Sequence, residues 1–207
     1  MPKPKVVVFD LGKVLLDFDF GKASRALSAH CTASEPEIRI MLDQSPLLHQ
    51  CERGEITAEQ FFQAIQTASG FNRSFTDFAP LFGDIFEPIP EMIQLNEDLR
   101  RAGFKTYIFS NTSSLAAEHI RERYPFFINF DAFVLSYECG CMKPDARIYE
   151  RVEQVTGCKG AEILYIDDRL ENIEAGAARG WQTIHQTNAA RSVANARQLT
   201  GVLEAVL

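Results

Sequence analysis

The chain has 207 residues, of which 46% are hydrophobic and 24% are charged, and its formal net charge is −7. At about 150 residues per domain, this length predicts one large domain or one domain that carries an insertion. The negative charge, without any basic run, argues against nucleic acid or an anionic membrane surface as a partner. No apolar stretch reaches the ~18 residues that a transmembrane helix needs.

The cysteines and the N-terminal region indicate a cellular compartment. Five cysteines are scattered along the chain, and the apolar run Val6–Phe9 is too short for a signal peptide. Odd, scattered cysteines without a secretory signal predict reduced thiols in a cytoplasmic protein. Cys139 and Cys141 lack the second Cys/His pair of a metal site, so we expect ordinary thiols there.

Short runs of apolar, β-branched or aromatic residues alternate with helical patterns along most of the chain. Five runs have the length of buried strands: Lys5–Phe9, Phe104–Phe109, Ala132–Leu135, Glu162–Ile166 and Gln182–His185. Four helical patterns end just ahead of glycine or proline: Pro90–Ala102, Ser113–Arg123, Asp145–Thr156 and Leu170–Arg179. This alternation predicts βαβ units and a parallel sheet. The last segment, Ala189–Leu207, has a weakly amphipathic helical pattern that predicts packing on the core.

One region interrupts the alternation. From Asp19 to Glu87 we expect helices only, two of them started by capping boxes at Ser34–Glu37 and Thr57–Gln60. The expected entry is Phe18–Phe20, and the expected exit is Phe86–Pro90, whose prolines suit a stiff hinge. The predicted domains are therefore a core of residues 1–18 and 88–207 and a helical unit of residues 19–87.

Polar residues follow three of the predicted strands. Asp10 follows the first strand, and the other two are followed by Ser110-Asn111 and Asp167-Asp168. Ligands of an open parallel sheet bind beyond the carboxyl ends of its strands. We therefore expect these residues to converge on one crevice, which Lys143 can reach from a loop ahead of the helix that starts near Asp145.

This set of side chains predicts a particular chemistry. Three carboxylates gathered together repel one another and must be neutralised by protons or by a cation. Ligands that are oxygen atoms only suit a hard ion such as Mg²⁺. A lysine and a hydroxyl beside that ion would bind phosphate oxygens, and a carboxylate facing the phosphorus can attack it to form an aspartyl-phosphate.

Four motifs in chain order resemble those of the haloacid dehalogenase-like hydrolases. They are Phe9-Asp10-Leu11-Gly12-Lys13-Val14-Leu15, Phe109-Ser110-Asn111-Thr112, Lys143-Pro144, and Ile166-Asp167-Asp168 followed by Asn172. The resemblance implies an α/β fold, with a Rossmann-like parallel sheet that has helices on both faces and an inserted all-helical cap. Within the family, Asp10–Phe20, Cys51–Thr57 and Met142–Tyr149 look most like bacterial α-D-glucose-1-phosphate phosphatases.

The resemblance also implies roles for individual residues. Asp10 would be the nucleophile, and the Mg²⁺ ligands would be Asp10, the Gly12 carbonyl and Asp168. Asp167 and Asn172 would support that metal site. Phosphate binding would fall to Ser110, the Asn111 amide and Lys143, with Ser110 and Lys143 also acting in catalysis. The implied cofactor is Mg²⁺, and the implied partner is a small phosphorylated metabolite.

Gly12 departs from the family pattern. Phosphatases of this family usually carry a second aspartate there as general acid, a role typically worth ~10²–10⁴-fold in rate. Three explanations remain open: a leaving group that needs little help, such as a sugar 1-phosphate; a substitute among Asp17, Asp19 and His49; or a slow relative. Arg53 and His49 are possible substrate contacts, but we expect Arg53 to pair on the surface with Glu52 or Glu55.

Three functions follow from these observations. The first is a Mg²⁺-dependent phosphatase, which uses the whole set of residues and would act on a small phosphorylated metabolite such as a sugar phosphate. The second is a metal-independent 2-haloacid dehalogenase, whose members also lack the second aspartate. The third is a catalytically weak relative that binds phosphate. The Asp167-Asp168 pair favours the phosphatase because it suits a metal site.

Overall fold

A parallel five-stranded sheet forms the centre of the molecule in the computed structural model, which describes residues 2–43 and 45–203. The strand order is β5-β4-β1-β6-β7, and every neighbouring pair is parallel. The strands are β1 (Val6–Phe9), β4 (Lys105–Ser110), β5 (Ala132–Leu135), β6 (Ile163–Asp167) and β7 (Gln182–His185). Each lies within one residue of its prediction, and the expected α/β core is confirmed.

Helices cover both faces of this sheet, because successive side chains of a strand point to opposite sides. Val7 and Phe9 of β1 belong to one apolar cluster, and Val6 and Val8 belong to the other. The helices against the first cluster are α6 (Pro90–Arg101), α7 (Ser114–Arg123) and α11 (Ala189–Thr200). Those against the second are α9 (Ala146–Thr156) and α10 (Leu170–Ala178). Of the predicted C-terminal helix, residues 204–207 lie outside the described residues.

Five helices follow one another between residues 20 and 83. They are α1 (Phe20–Ser28), α2 (Glu35–Leu42), α3 (Pro46–Glu52), α4 (Ala58–Ser69) and α5 (Phe75–Gly83). Both predicted capping boxes are present, at the starts of α2 and α4. The helices share an apolar cluster rich in phenylalanine, in which the rings of Phe78 and Phe82 stack 5.7 Å apart. We call this segment the helical insertion.

We expected no strand between Asp19 and Glu87, and this prediction is wrong at the end of the segment. A short strand β2 (Leu16–Phe18) pairs antiparallel with β3 (Phe86–Pro88), and Phe18 lies opposite Phe86. The two chain crossings into the helical insertion are therefore joined by backbone hydrogen bonds. Strands of three residues are too short to show a period of two, and their partners are about 70 residues apart, so local sequence carries no signal for them.

One short helix, α8 (Ser136–Cys139), directly follows β5 and contacts α3 of the helical insertion. Single turns of 3-10 helix precede β5 and β6, at Pro125–Ile128 and Gly160–Glu162. Across the described part of the chain, no helix is both long and apolar enough to cross a membrane.

Candidate active site

The predicted site residues meet at the carboxyl ends of three adjacent strands. Asp10 directly follows β1, Ser110 ends β4, and Asp167 ends β6. Because β1 lies between β4 and β6, Asp10 stands between the other two. The convergence that strand ends predicted is therefore observed, and Lys143 joins it from the loop ahead of α9.

The Asp10 carboxylate is held in one orientation by two contacts. The Leu11 backbone N–H donates to Asp10 Oδ1 at 2.7 Å, and Lys143 Nζ lies 3.0 Å from the same oxygen. The backbone N–H of Asp10 donates to Ile166 O at 2.9 Å, which extends the β1–β6 pairing by one residue. The carboxylate is thus aimed by the backbone of its own strand end rather than by a mobile loop.

Lys143 is a buried ammonium group with three partners. Its side chain is 1% exposed, and Nζ lies 3.0 Å from Asp10 Oδ1 and 2.6 Å from Asp167 Oδ2. The third contact is a hydrogen bond to Phe109 O at 2.9 Å. Three acceptors match the three protons of a lysine ammonium, so the group is fully satisfied where it lies.

Asn111 holds the loop that carries Lys143. Its side-chain Nδ2 donates to Lys143 O at 3.1 Å, and its Oδ1 accepts from Lys143 N at 2.7 Å. The side-chain amide is therefore engaged in positioning the lysine. The Asn111 backbone N–H has no acceptor among the described residues, and it is the part of this residue that remains available to a phosphate oxygen.

Asp167 is buried and saturated with hydrogen bonds. Its carboxylate accepts from Lys143, from the Tyr165 hydroxyl, from Asn172 Nδ2 at 3.0 and 3.2 Å, and from Arg169 N at 2.8 Å. Burial acts to raise its pKa, but the charge of Lys143 and these hydrogen bonds outweigh it, and the pKa of Asp167 is lowered. Asp167 thus stays ionised and orients its neighbours, and Asn172 is one of the side chains that hold its carboxylate in place.

The three carboxylates form a site whose charge is not balanced. One oxygen each of Asp10, Asp167 and Asp168 lies within 4.8 Å of the others, and Lys143 supplies a single positive charge. Burial raises the pKa of Asp10 to about 8, which Lys143 opposes and the Asp167 and Asp168 charges reinforce. When all three carboxylates are ionised, two negative charges are left uncompensated, and oxygen ligands with that charge fit one divalent hard cation such as Mg²⁺.

Gly12 contributes a carbonyl and a closely packed Cα to this site. Its carbonyl oxygen accepts no hydrogen bond from a described residue, so it remains available to a cation. A Cβ added at Gly12 would lie 2.9 Å from Phe18 Cε1, closer than carbon atoms pack. The Phe18 ring therefore occupies the space in which the side chain of an aspartate would begin.

A cavity extends from the carboxylates toward the helical insertion. On the core side its lining includes Asp10, Gly12, Ser110, Asn111, Lys143, Asp168 and Asn172. Eight described residues between positions 18 and 86 also line it, and all but His49 and Glu52 are apolar: Phe18, Phe20, Leu48, His49, Glu52, Phe82, Ile85 and Phe86. The helical insertion thus faces any group bound at Asp10 with an apolar surface.

The three candidate substitutes for the general acid differ in whether they line the cavity. Asp17 is exposed and pairs with Lys13, and Asp19 caps α1 by accepting from Gly21 N at 2.7 Å. Neither lines the cavity, whereas His49 does. Arg53 pairs with Glu55 at 2.6 Å, as the surface interpretation predicted.

Glu52 is a cavity residue to which the sequence assigned no catalytic role. Of the two possible surface partners of Arg53, Glu55 makes the pair, whereas Glu52 lies at the end of α3 and lines the cavity. Burial raises its pKa to about 7, although Arg169 and Arg53 oppose the shift. The sequence offered one indication of this position, Gly54, which lies two residues after Glu52. A glycine just after a helix marks a tight turn that can pack closely on a neighbouring segment.

Known proteins resemble the chain over nearly its whole length. The family model described as haloacid dehalogenase-like hydrolase matches residues 4–180. A sesquiterpene phosphatase of Aspergillus oryzae is 26% identical over 95% of this chain and 97% of its own length. A D-ribitol-5-phosphate phosphatase of Bacteroides thetaiotaomicron is 25% identical over 90% of this chain and 93% of its own.

Solved structures share the fold. A HAD family enzyme from Bacteroides thetaiotaomicron, in complex with magnesium and inorganic phosphate, superimposes with a TM-score of 0.76 at 23% identity, covering 87% of this chain and 93% of that one. An L-2-haloacid dehalogenase from Xanthobacter autotrophicus gives a TM-score of 0.64 at 20% identity, covering 87% and 76%. At these identities both likenesses concern the fold alone.

Proposed function

This chain belongs to the haloacid dehalogenase-like hydrolase family, and from that premise we propose that it is a Mg²⁺-dependent phosphatase that forms an aspartyl-phosphate on Asp10. The observation that carries the proposal is the cluster of the buried Asp10 and Asp167 carboxylates and the half-buried Asp168 carboxylate beside a single ammonium group. Phosphatases of 26% and 25% identity that align over nearly the full chain support the reaction class.

In the proposed reaction, the free oxygen of the Asp10 carboxylate attacks phosphorus while Lys143 holds the other oxygen. The Ser110 hydroxyl and the Asn111 backbone N–H donate to the phosphoryl oxygens from the end of β4. Lys143 balances charge on the nucleophile and on the phosphoryl group. Preorganised donors and charges of this kind supply most of the catalysis in phosphoryl transfer.

The proposed Mg²⁺ site uses Asp10, the Gly12 carbonyl and Asp168, while Asp167 and Asn172 position them. When bound, the ion would neutralise the carboxylates and the phosphate charge. Asp168 suits direct ligation because it is only half-buried and its carboxylate is not claimed by Lys143. The carboxylate oxygens of Asp167 instead accept hydrogen bonds from Lys143, Tyr165 and Asn172.

Removal of the metal tests this proposal. We expect hydrolysis of p-nitrophenyl phosphate to fall by about 10²-fold or more in EDTA, since a catalytic metal contributes several kcal/mol to the transition state, and to return when Mg²⁺ is added back. Full activity after exhaustive EDTA treatment would contradict the proposal. Metal-free release of halide from 2-chloropropionate would instead support the dehalogenase, and binding of Mg²⁺ and phosphate without turnover would support the weak relative.

The substrate is proposed to be a small phosphorylated metabolite, with a sugar 1-phosphate as the first candidate. The anomeric oxygen of such a sugar is more acidic than an ordinary alcohol, so it leaves more readily from phosphorus. We expect a higher kcat/KM for glucose 1-phosphate than for glucose 6-phosphate, measured by phosphate release at saturating Mg²⁺. The opposite order would rule out this preference.

The lining of the cavity favours a second candidate, a phosphate ester of an apolar alcohol. Among the described residues, the helical insertion and its two crossings contribute six apolar residues to the lining and, as polar ones, His49 and Glu52. A sugar leaves its hydroxyls without partners on such a surface, and unpaired buried polar groups are costly. A higher kcat/KM for farnesyl phosphate than for glucose 1-phosphate would decide for this candidate.

A further inference from the structure

We propose that Glu52 is the proton donor to the leaving group, and then the base toward the attacking water, in place of the carboxylate that is absent at Gly12. This inference rests on the phosphatase function proposed above and adds a catalytic residue to it. Glu52 lines the same cavity as Asp10, from the opposite side. Among the described residues, nothing donates a hydrogen bond to its carboxylate or pairs with it within 4.0 Å.

A hydrogen-bond chain ties the backbone of Glu52 to the phosphate-binding end of β4. The Ser136 hydroxyl donates to Glu52 O at 2.6 Å, and its oxygen accepts from Thr112 N at 2.9 Å. Ser136 is fully buried, and Thr112 lies two residues beyond Ser110. Although Glu52 belongs to the helical insertion, its backbone is thus held against the core at the site itself.

The turn after Glu52 makes a second close contact with the core. Gly54 has a φ of +67°, and a Cβ there would lie 2.3 Å from Tyr137 O. Only glycine allows both this conformation and this approach. The end of α3 and α8 therefore pack backbone against backbone, so that the position of Glu52 relative to the strand ends is set by two independent contacts.

The surroundings of Glu52 suit a group that exchanges a proton near neutral pH. Its burial raises the pKa to about 7, and Arg169 and Arg53 limit that shift. A general acid works best when its pKa is near the operating pH. The other titratable groups around the cavity are His49 on the same helix and, on the core side, Asp10, Lys143 and Asp168.

The two steps balance in protons. In the first, Asp10 forms a bond to phosphorus, the bond from phosphorus to the leaving oxygen breaks, and that oxygen takes the proton of Glu52 as the alcohol departs. In the second, ionised Glu52 takes a proton from water as the water attacks the phosphoryl group on Asp10. Inorganic phosphate leaves, the Asp10 carboxylate is restored, and Glu52 is again protonated.

The test compares Glu52→Gln with the wild type on two aryl phosphates, phenyl phosphate and p-nitrophenyl phosphate, whose leaving groups differ in their need for a proton. We expect kcat/KM for phenyl phosphate to fall by about 10²-fold or more, as for the loss of a general acid, and kcat/KM for p-nitrophenyl phosphate to change far less, because its phenolate leaves without a proton. For phenyl phosphate, the wild-type kcat/KM should decline as the pH rises through about 7, and this decline should be missing in the variant.

Matched variants separate the proposal from its alternatives. Glu55→Gln removes an exposed carboxylate three residues away and should leave both esters unchanged. Equal losses on both esters for Glu52→Gln, or no loss on phenyl phosphate, would overturn the proposal, as would the selective loss appearing in His49→Gln instead. In each of these cases the phosphatase function would still be supported if the wild type hydrolyses p-nitrophenyl phosphate and if this activity depends on Asp10.

Discussion

Asp10→Asn is expected to remove hydrolysis of p-nitrophenyl phosphate, with kcat lowered by about 10⁴-fold or more, as for other enzymes that lose their nucleophile. An amide does not attack phosphorus, although asparagine preserves the shape and the oxygen that accepts from Leu11 N. The measurement is phosphate release at saturating Mg²⁺, together with mass analysis of acid-quenched enzyme for a phosphoryl group on the peptide that contains Asp10.

The same substitution gives a readout that does not depend on turnover. The wild type should gain unfolding temperature when Mg²⁺ is added, because a ligand that binds only the folded state stabilises it. Asp10→Asn should lose part of that gain, since one of the proposed ligands becomes neutral. Asp17→Asn is the matched control, because that carboxylate is exposed and pairs with Lys13. Equal activity of Asp10→Asn and the wild type would exclude Asp10 as nucleophile.

Lys143→Met has the second large expected effect, on activity and on stability. We expect kcat to fall by about 10²–10³-fold, the range for removing one preorganised donor. The free energy of unfolding should fall by about 3–5 kcal/mol, because the Asp10 and Asp167 carboxylates lose their buried partner. Lys105→Met, at an exposed position at the start of β4, is the control. Enzyme kinetics and urea unfolding measure the two effects.

The loss of stability in Lys143→Met should depend on pH. Burial already raises the pKa of Asp10 in the folded protein, and Lys143 is the largest opposing contribution. When folding raises the pKa of a carboxyl group, its contribution to the free energy of unfolding is fully present below the unfolded-state pKa. That stability is lost as the pH rises through the folded-state pKa, because the group must then ionise in the folded protein. The variant should therefore lose more stability at about pH 8 than at about pH 5. A loss that is the same at both values would contradict this account.

Much of the core follows from local patterns. Val6–Phe9 and Ala132–Leu135 are apolar runs of strand length, and glycine marks the ends of α9 and α10, so the parallel sheet could be predicted. The carboxylate site followed as well, since Asp10 and Asp167 lie at the ends of strands that such a sheet places side by side. These predictions succeed because they depend on residues that are close together in the chain and on a general rule of parallel sheets.

Other features depend on contacts between distant segments. Phe18 fills the space above Gly12 only because β2 pairs with β3 across the whole helical insertion. Asn111 clamps Lys143 from 32 residues away, and Ser136 reaches the Glu52 carbonyl from 84 residues away. None of these partners can be found from spacing along the chain, because each depends on how the helical insertion and the loops pack on the sheet.

Length, composition and charge limited the chain to an acidic globular protein, and its motifs predicted the residues to which the proposed function assigns the binding and attack of phosphate. Those properties are local, since a strand end needs only its own neighbours to present a carboxylate. Three-dimensional packing supplied the rest: the apolar face opposite Asp10, the ring over Gly12 and the approach of Glu52. The surface around a leaving group is assembled from segments far apart in the chain, so only their packing determines its chemistry.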